Sequence, residues 1–456
     1  MNDSSPALLR LRDWSLIRET ASGPITLLSH IDLSLFRGEL VGLLGANGSG
    51  KTSLLHYLAA EESPLALPVG LVFQDPDAQI VAATVTEELT FGRPDVVVAE
   101  LLALYGLTGL DQLDPRLLSA GEKQRLTVAV ALAGNPEILL CDEPTTLQDA
   151  EQAAWLLDFL VDWPRRSGGT ILLATQREHE ARLCDRVVVL EQGHIVAEGE
   201  PASVLARPEV AAVLGWDDPN ATATPASDAT DGRPATDENP GAVVAEWRDV
   251  TYHFAATGRG FRGVNRKIQP GERLGITGAN GCGKSTLLYL TAGLLSPSAG
   301  RCYLGDKPLC EKGPHDLDHN LALLAPQFPE YLFTRTTVAD EISLDPVLAA
   351  GGVTPLLTGA GLPERFASRN PHALSSGERR RLALSLVILS GRPLILLDEP
   401  TAGLDGRGRR RFQQLLSRLP RWTALVIASH DRQFLRACGC TLLELGPAGL
   451  RDVAAE

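Results

Sequence analysis

Short apolar runs alternate with longer stretches of helical spacing along this chain. Leu40–Leu44 (LVGLL) and Arg273–Thr277 (RLGIT) each read as a short, mainly apolar strand. Each runs through a glycine-rich turn into an apolar helical pattern. Ile138–Cys141 and Leu394–Leu397 are unbroken apolar runs, the pattern of strands buried on both faces of a parallel sheet. KQRLTVAVALAG and RRRLALSLVILSG are strongly helical, and ALVIAS reads as another strand. Strands alternating with helices predict an α/β fold built on a mainly parallel sheet.

The pattern occurs twice. GANGSGKTSLL at 45–55 returns as GANGCGKSTLL at 278–288. LLSAGEKQRL at 117–126 returns as ALSSGERRRL at 373–382, and EILLCDEPTT at 137–146 as PLILLDEPTA at 393–402. Twenty-three positions separate Ser119 from Asp142, and also Ser375 from Asp398. The distance from Lys51 to Gln74 is 23, but from Lys284 to Gln327 it is 43. The first copy is therefore expected to lack about 20 residues that in the second hold a strand and turn (RCYLGDKPL), so that a small antiparallel subdomain is trimmed in copy one. The predicted domains are 8–215 and 244–456, joined by 216–243. That joint is rich in Pro, Ala, Thr and Asp and nearly free of large apolar residues, which predicts a disordered linker with a span of roughly 30 Å.

The 456 residues carry a formal charge of −14, which argues against a protein that works by neutralising nucleic-acid phosphates. No apolar run is long enough to cross a membrane as a helix. The N-terminal stretch lacks the apolar core of a signal peptide, so a cytoplasmic location is expected, with any membrane role peripheral. Seven cysteines (141, 184, 282, 302, 310, 438 and 440) form no C-x-x-C pair and read as reduced thiols. Cys438-Gly-Cys440 reads as two thiols near a strand end rather than a metal site.

The repeated motifs carry a definite chemistry. Strand, G-x-x-x-x-G-K-[ST] and helix form the context of a phosphate-binding loop. Gly45, Ala46, Asn47, Gly48, Ser49, Gly50, Lys51, Thr52 and Ser53 make the first loop. Gly278, Ala279, Asn280, Gly281, Cys282, Gly283, Lys284, Ser285 and Thr286 make the second. Backbone N–H groups and a helix N-terminus suit phosphate oxygens, the lysines reach the β- and γ-phosphates, and Thr52 and Ser285 offer a hydroxyl to Mg²⁺. Asp142 and Asp398, each ending a strand, suit the Mg²⁺ shell. Glu143 and Glu399, one residue on, are placed to polarise an attacking water. Serine with glutamate three residues on, at Ser119/Glu122 and Ser375/Glu378, is by itself a helix-capping box. Arg379–Arg381 and Arg407–Arg411 read as solvated helix faces, with approach to phosphate as the alternative for the first cluster.

In this order, twice, and over nearly the whole chain outside the linker, these motifs resemble the ATP-binding-cassette (ABC) ATPases. The resemblance implies two P-loop NTPase domains, each with a helical signature subdomain, binding ATP and Mg²⁺. It implies head-to-tail pairing within the chain. Ser119, Gly121 and Glu122 would then face the nucleotide held by Lys284, and Ser375, Gly377 and Glu378 the one held by Lys51. Asp149 and Asp405 fall at the D-loop position. VFQDPDAQIVAATVTEELTFG, with Gln74, and LAPQFPEYLFTRTTVADEISL, with Gln327, are similar to the ATPase subunits of energy-coupling-factor (ECF) transporters. That similarity implies that both glutamines bind Mg²⁺. It also implies that the segments after them receive integral-membrane subunits, a coupling protein and a substrate-binding protein, with the chain peripheral on the inner membrane face. The alternative is a soluble tandem cassette of the ABC-F translation-factor type. Such proteins carry a long, charged helical linker, which this chain lacks.

The copies differ at two positions. Phe254 falls where an aromatic stacks on adenine, and His430 at the switch position. In the first copy the switch position is Gln176, and the aromatic position falls near Arg18, with Trp14 about a turn away. Glutamine cannot bring a positive charge to the γ-phosphate, and losing such a contact costs about 10²–10³ in rate. One competent site (with His430 and Glu399) and one weak site (with Gln176 and Glu143) are expected. His179 reads as a surface residue.

Overall fold

The computed structural model describes residues 7–20, 23–60, 63, 65, 67–93, 95–146, 148–216, 244–254, 260–309 and 321–453. From position 217 on, the stretch expected to be a linker lies outside them, as does Cys310. The chain divides into two compact units, Met1–Asp218 with Asp405–Arg407, and Pro219–Leu404 with Gly408–Glu456.

The first cassette opens with a long hairpin, β1 (Ala7–Thr20) and β2 (Gly23–Phe36), a two-stranded antiparallel sheet. Its main sheet holds β3 (Leu40–Leu44), β4 (Val69–Val72), β5 (Ile138–Asp142), β6 (Thr170–Thr175), β7 (Arg186–Glu191) and β8 (His194–Gly199), in the order β4-β5-β6-β3-β7-β8. Only β8 runs antiparallel to its neighbour. Alternation along β3 explains the layering. Leu40 and Leu44 enter one buried cluster while Val41 and Leu43 enter another on the opposite face. A strand packed on both faces has no room for polar residues, which is why it reads as an apolar run.

The second cassette repeats this plan. β9 (Ala245–His253), β10 (Gly260–Ile268), β12 (Ala299–Leu304) and β13 (Lys307–Pro308) form an antiparallel sheet in the order β10-β9-β12-β13. β11 (Arg273–Thr277), β14 (Ala322–Ala325), β15 (Leu394–Asp398), β16 (Ala424–Ala428), β17 (Thr441–Gly446) and β18 (Gly449–Asp452) make the main sheet, in the order β14-β15-β16-β11-β17-β18. β12 and β13 are the strand and turn read from RCYLGDKPL. Among the described residues the first cassette has two strands in this layer where the second has four, the trimming that the spacing predicts. A separate cluster of Phe333, Val338, Ile342, Leu356, Phe366 and Leu382 forms the core of the helical subdomain that carries the signature helix Ser376–Leu389.

Three details depart from expectation. β5 and β15 run one residue further than predicted and take Asp142 and Asp398 into the sheet. Trp14 and Arg18 lie on an extended strand, so four residues separate them by roughly 13 Å rather than by a helical turn. Trp14 packs on Tyr57 of the loop helix, ring centroids 4.4 Å apart, and so serves the core. Arg380, read as part of a solvated face, is 5% exposed.

Candidate active site

In both cassettes the central strand feeds the phosphate loop. β3 lies between β6 and β7, and β11 between β16 and β17. Ligands of open α/β sheets bind outside the carboxyl ends of such strands, where the order of connection reverses. Gly45, Gly48 and Gly50 have φ of 158°, 78° and 107°, and Gly278, Gly281 and Gly283 have 142°, 74° and 104°. The loop helices start at the lysines, Lys51–Ala59 and Lys284–Thr291.

Each lysine folds back over its own loop. Lys51 Nζ donates to the carbonyls of Gly45 (2.7 Å) and Ala46 (3.2 Å), and Lys284 Nζ to those of Gly278 (2.8 Å) and Ala279 (3.1 Å). The cations are thus held inside a ring of backbone, where an anion can meet ammonium and N–H groups together. The Thr52 hydroxyl bonds the Asp142 carboxyl, and that of Ser285 bonds Asp398. Burial pushes the Asp142 pKa up and carries that of Asp398 to about 6, against the hydroxyl bonds that lower both. Asp398 Oδ1 is buried and has no hydrogen-bond partner among the described residues. A buried carboxylate with an orphaned oxygen beside a hydroxyl is a donor set that suits a hard divalent cation. Gln74 and Gln327 stand two residues past the ends of β4 and β14, half-buried.

The two glutamates share one strained backbone. Glu143 and Glu399 both have φ of 43°, where a non-glycine side chain is uncommon. Their N–H groups donate across the sheet to the carbonyls of Ala174 (3.0 Å) and Ala428 (2.8 Å). Their carboxylates are held differently. Glu399 accepts from the Ser429 hydroxyl (2.9 Å) and the His430 N–H (3.2 Å), with His430 Nδ1 3.1 Å away. Glu143 accepts from the Gln176 amide at 2.5 Å and lies 3.4 Å from Lys51 Nζ. The same amide donates to Asn47 Oδ1 (2.6 Å). The Gln176 carbonyl accepts from the Trp216 indole (2.9 Å). Gln176 therefore ties the glutamate to the phosphate loop instead of presenting an imidazole.

Ser119 and Ser375 cap their helices. Each hydroxyl receives the N–H three residues on, at 3.4 Å, while Glu122 and Glu378 accept the serine N–H at 2.7 Å and 2.9 Å. The capping box is therefore real in both copies. Gly121 packs under Gln152, whose N–H bonds Asp149, the cap of the helix Ala150–Ser167. Asp405 stands just before the helix Gly406–Ser417. Phe254 follows β9 and meets Tyr252 edge-on, centroids 5.1 Å apart. His179 is exposed, as read, and Cys438 and Cys440 are buried thiols just before β17.

Several contacts have no counterpart in the motif reading. Glu180 is fully buried and accepts from the hydroxyls of Thr145 and Thr175. Arg380 donates to the Glu399 carbonyl at 2.9 Å. Glu88 and Glu341 are buried and each receives two backbone N–H groups, from Val81 and Ala82 and from Thr334 and Arg335. The only sequence signal for the last pair is recurrence of an acid at the same place after each glutamine.

Two phosphate loops on two such sheets define a tandem nucleotide-binding cassette protein of the P-loop class. Residues 28–146 and 261–402 match the family described as ABC transporter. The chain belongs to that family of ATPases. A Streptomyces coelicolor protein named as an ABC transporter ATP-binding protein is 31% identical, over 93% of this chain and 90% of its own. One from Bacillus thuringiensis is 30% identical, over 89% and 85%. The archaeal ribosome recycling factor aABCE1, solved in complex with the ribosomal stalk protein aP1, shares the fold. Its TM-score is 0.63 at 18% identity, over 96% of this chain and 90% of that one.

Proposed function

We propose that the chain is the energising subunit of an importer of the ECF type, hydrolysing ATP at two unequal sites and docking on separate integral-membrane subunits at the cytoplasmic face. Lys284, with the loop N–H groups, would bind the β- and γ-phosphates. Ser285, Gln327 and Asp398 would hold Mg²⁺, which when bound neutralises phosphate charge and orients the γ-phosphate. Glu399, fixed by Ser429 and the His430 N–H, would orient the attacking water, and His430 would approach the γ-phosphate. Lys51, Thr52, Gln74, Asp142 and Glu143 form the corresponding set of the weaker site. Within the chain the cassettes would pair head to tail, each signature serine meeting the other cassette's nucleotide.

The observation that carries the membrane part is the exposed apolar surface after each glutamine. Val81, Phe91, Val97, Leu104 and Leu117 are exposed in this stretch of the first cassette, from 55% at Leu117 to 72% at Leu104. Leu332, Leu344 and Val347 are exposed at the corresponding place of the second. Large apolar side chains left exposed along the segment that follows a site glutamine suit a partner. Among the described residues no helix is long and apolar enough to cross a membrane.

The test is fractionation of cell extract on a density gradient, with wild type beside Phe91→Asp/Leu104→Asp. Wild type is expected with membranes, and the double variant in the soluble fraction with its ATP turnover retained. Wild type sedimenting with ribosomes would instead support the translation-factor reading.

A further inference from the structure

Arg380 lies in the signature helix Ser376–Leu389, five residues past the capping serine. A guanidinium is seldom buried without a partner, because removing its charge from water is costly. Arg380 is 5% exposed, and its guanidinium reaches two neighbours. Its Nη2 donates to the main-chain carbonyl of Glu399 at 2.9 Å. Its Nη1 lies 3.8 Å from the carboxylate of Glu330, which is itself 4% exposed. Glu330 belongs to the short turn Pro329–Leu332 that begins two residues after Gln327. The same turn carries the exposed Leu332.

The first cassette lacks this link. Gln124 stands where the second has Arg380, and Asp77 where it has Glu330. Asp77 pairs instead with Lys123, at 2.6 Å, and is 58% exposed there. Gln124 is buried and accepts from the Gln148 amide at 3.3 Å. So a buried charge joins the turn after the glutamine to the backbone of the catalytic-site glutamate in one cassette only.

We infer that Arg380 and Glu330 are positioning residues for ATP hydrolysis in the second cassette, fixing the peptide that follows Glu399 through its carbonyl, while the backbone angle of the glutamate is common to both cassettes. The carbonyl that Arg380 holds belongs to the residue with φ of 43°. A fixed cation on that carbonyl resists rotation of the adjoining peptide, and rotation would swing the Glu399 carboxylate away from the water it orients. Glu330 keeps the cation in place, so a shift of the turn it belongs to reaches Glu399 through one side chain. The inference rests on the reading of Glu399 given above.

Steady-state ATP turnover of the full chain tests it, in a Glu143→Gln background so that the second cassette is read. Glu399→Gln in that background must abolish turnover, and failure to do so removes the reading beneath the inference. Arg380→Gln is expected to lower kcat about 10-fold or more with KM for ATP within about 2-fold, the signature of lost positioning rather than lost binding. Glu330→Gln should act in the same direction. The double variant should be no slower than Arg380→Gln alone, and Arg380→Lys should recover part of the loss. An unfolding temperature lowered without a change in kcat, or losses that multiply in the double variant, would overturn the inference while leaving Glu399 in its role.

Discussion

Asp398 ends a strand with no exposed face, and burial raises its pKa from the usual 3.8 to about 6. The folded chain therefore holds this proton more tightly than the unfolded one does. The stabilising contribution is complete at low pH and is lost as pH rises through about 6, leaving an ionised carboxylate that the fold disfavours. In the nucleotide-free chain, Asp398→Asn should then be more stable than wild type at pH 7.5 by on the order of 2–3 kcal/mol, and the gap should shrink below pH 6 and close by about pH 4. A gap that is the same at both pH values contradicts the assignment. The variant should lose ATP turnover all the same, since the proposed cation ligand is gone. Cys282 is the other residue whose surroundings decide its chemistry. Burial pushes its thiol pKa up, and a Cβ on Gly278 would meet its sulfur at 2.9 Å, so the side chain lies against the start of the loop. Alkylation by N-ethylmaleimide is expected to be slow at neutral pH, faster at pH 9, and blocked by bound ATP. Turnover should fall with labelling in wild type but not in Cys282→Ser. Full labelling of Cys282 with turnover intact would contradict this.

At the scale of elements, the phosphate loops and the Asp-Glu pairs were legible because each sits at a strand end, and the signature motifs because each caps a helix. β3 and β11 span the very residues that the apolar runs mark, since a strand packed on both faces leaves no choice of residue type. The hairpin β12–β13 was legible from a spacing difference together with the strand-and-turn pattern RCYLGDKPL. What the sequence did not show is what depends on distant partners. Arg380 follows an arginine and precedes another, so nothing local tells it from a solvated face. Its burial comes from Glu330 and the Glu399 carbonyl, 50 and 19 positions apart from it in sequence. Glu88 and Glu341 look like ordinary acids of a first helical turn, yet each is folded back to close the loop before it. The join between strand and phosphate loop is equally specific. Gly283 has φ of 104°, and a Cβ there would lie 2.6 Å from the Phe261 ring on β10. Gly283→Ala combines a strained backbone with a clash against a fully buried ring, costing on the order of 1–3 kcal/mol. It should raise KM for ATP strongly. A variant with KM unchanged would show that the loop tolerates another course.

For the whole molecule, one plan is used twice with different fittings at the carboxyl ends of the strands. Both copies keep the lysine, the hydroxyl, the buried aspartate and the strained glutamate. The first replaces the switch imidazole with Gln176, whose amide bridges Glu143 and Asn47, and it leaves Glu143 within 3.4 Å of Lys51. A glutamate spent on a lysine and an amide is poorly placed to take a proton from water. The second holds its glutamate with Ser429 and His430 and braces the backbone with Arg380. The sequence marks this difference at one residue, Gln176, and the packing around both glutamates gives it a physical form. Steady-state ATP turnover of the purified chain, wild type beside Glu399→Gln and Glu143→Gln, tests it most directly. Loss of turnover in Glu399→Gln, with much of it kept in Glu143→Gln, is the predicted result. Equal losses in the two variants would contradict it and make the sites equivalent.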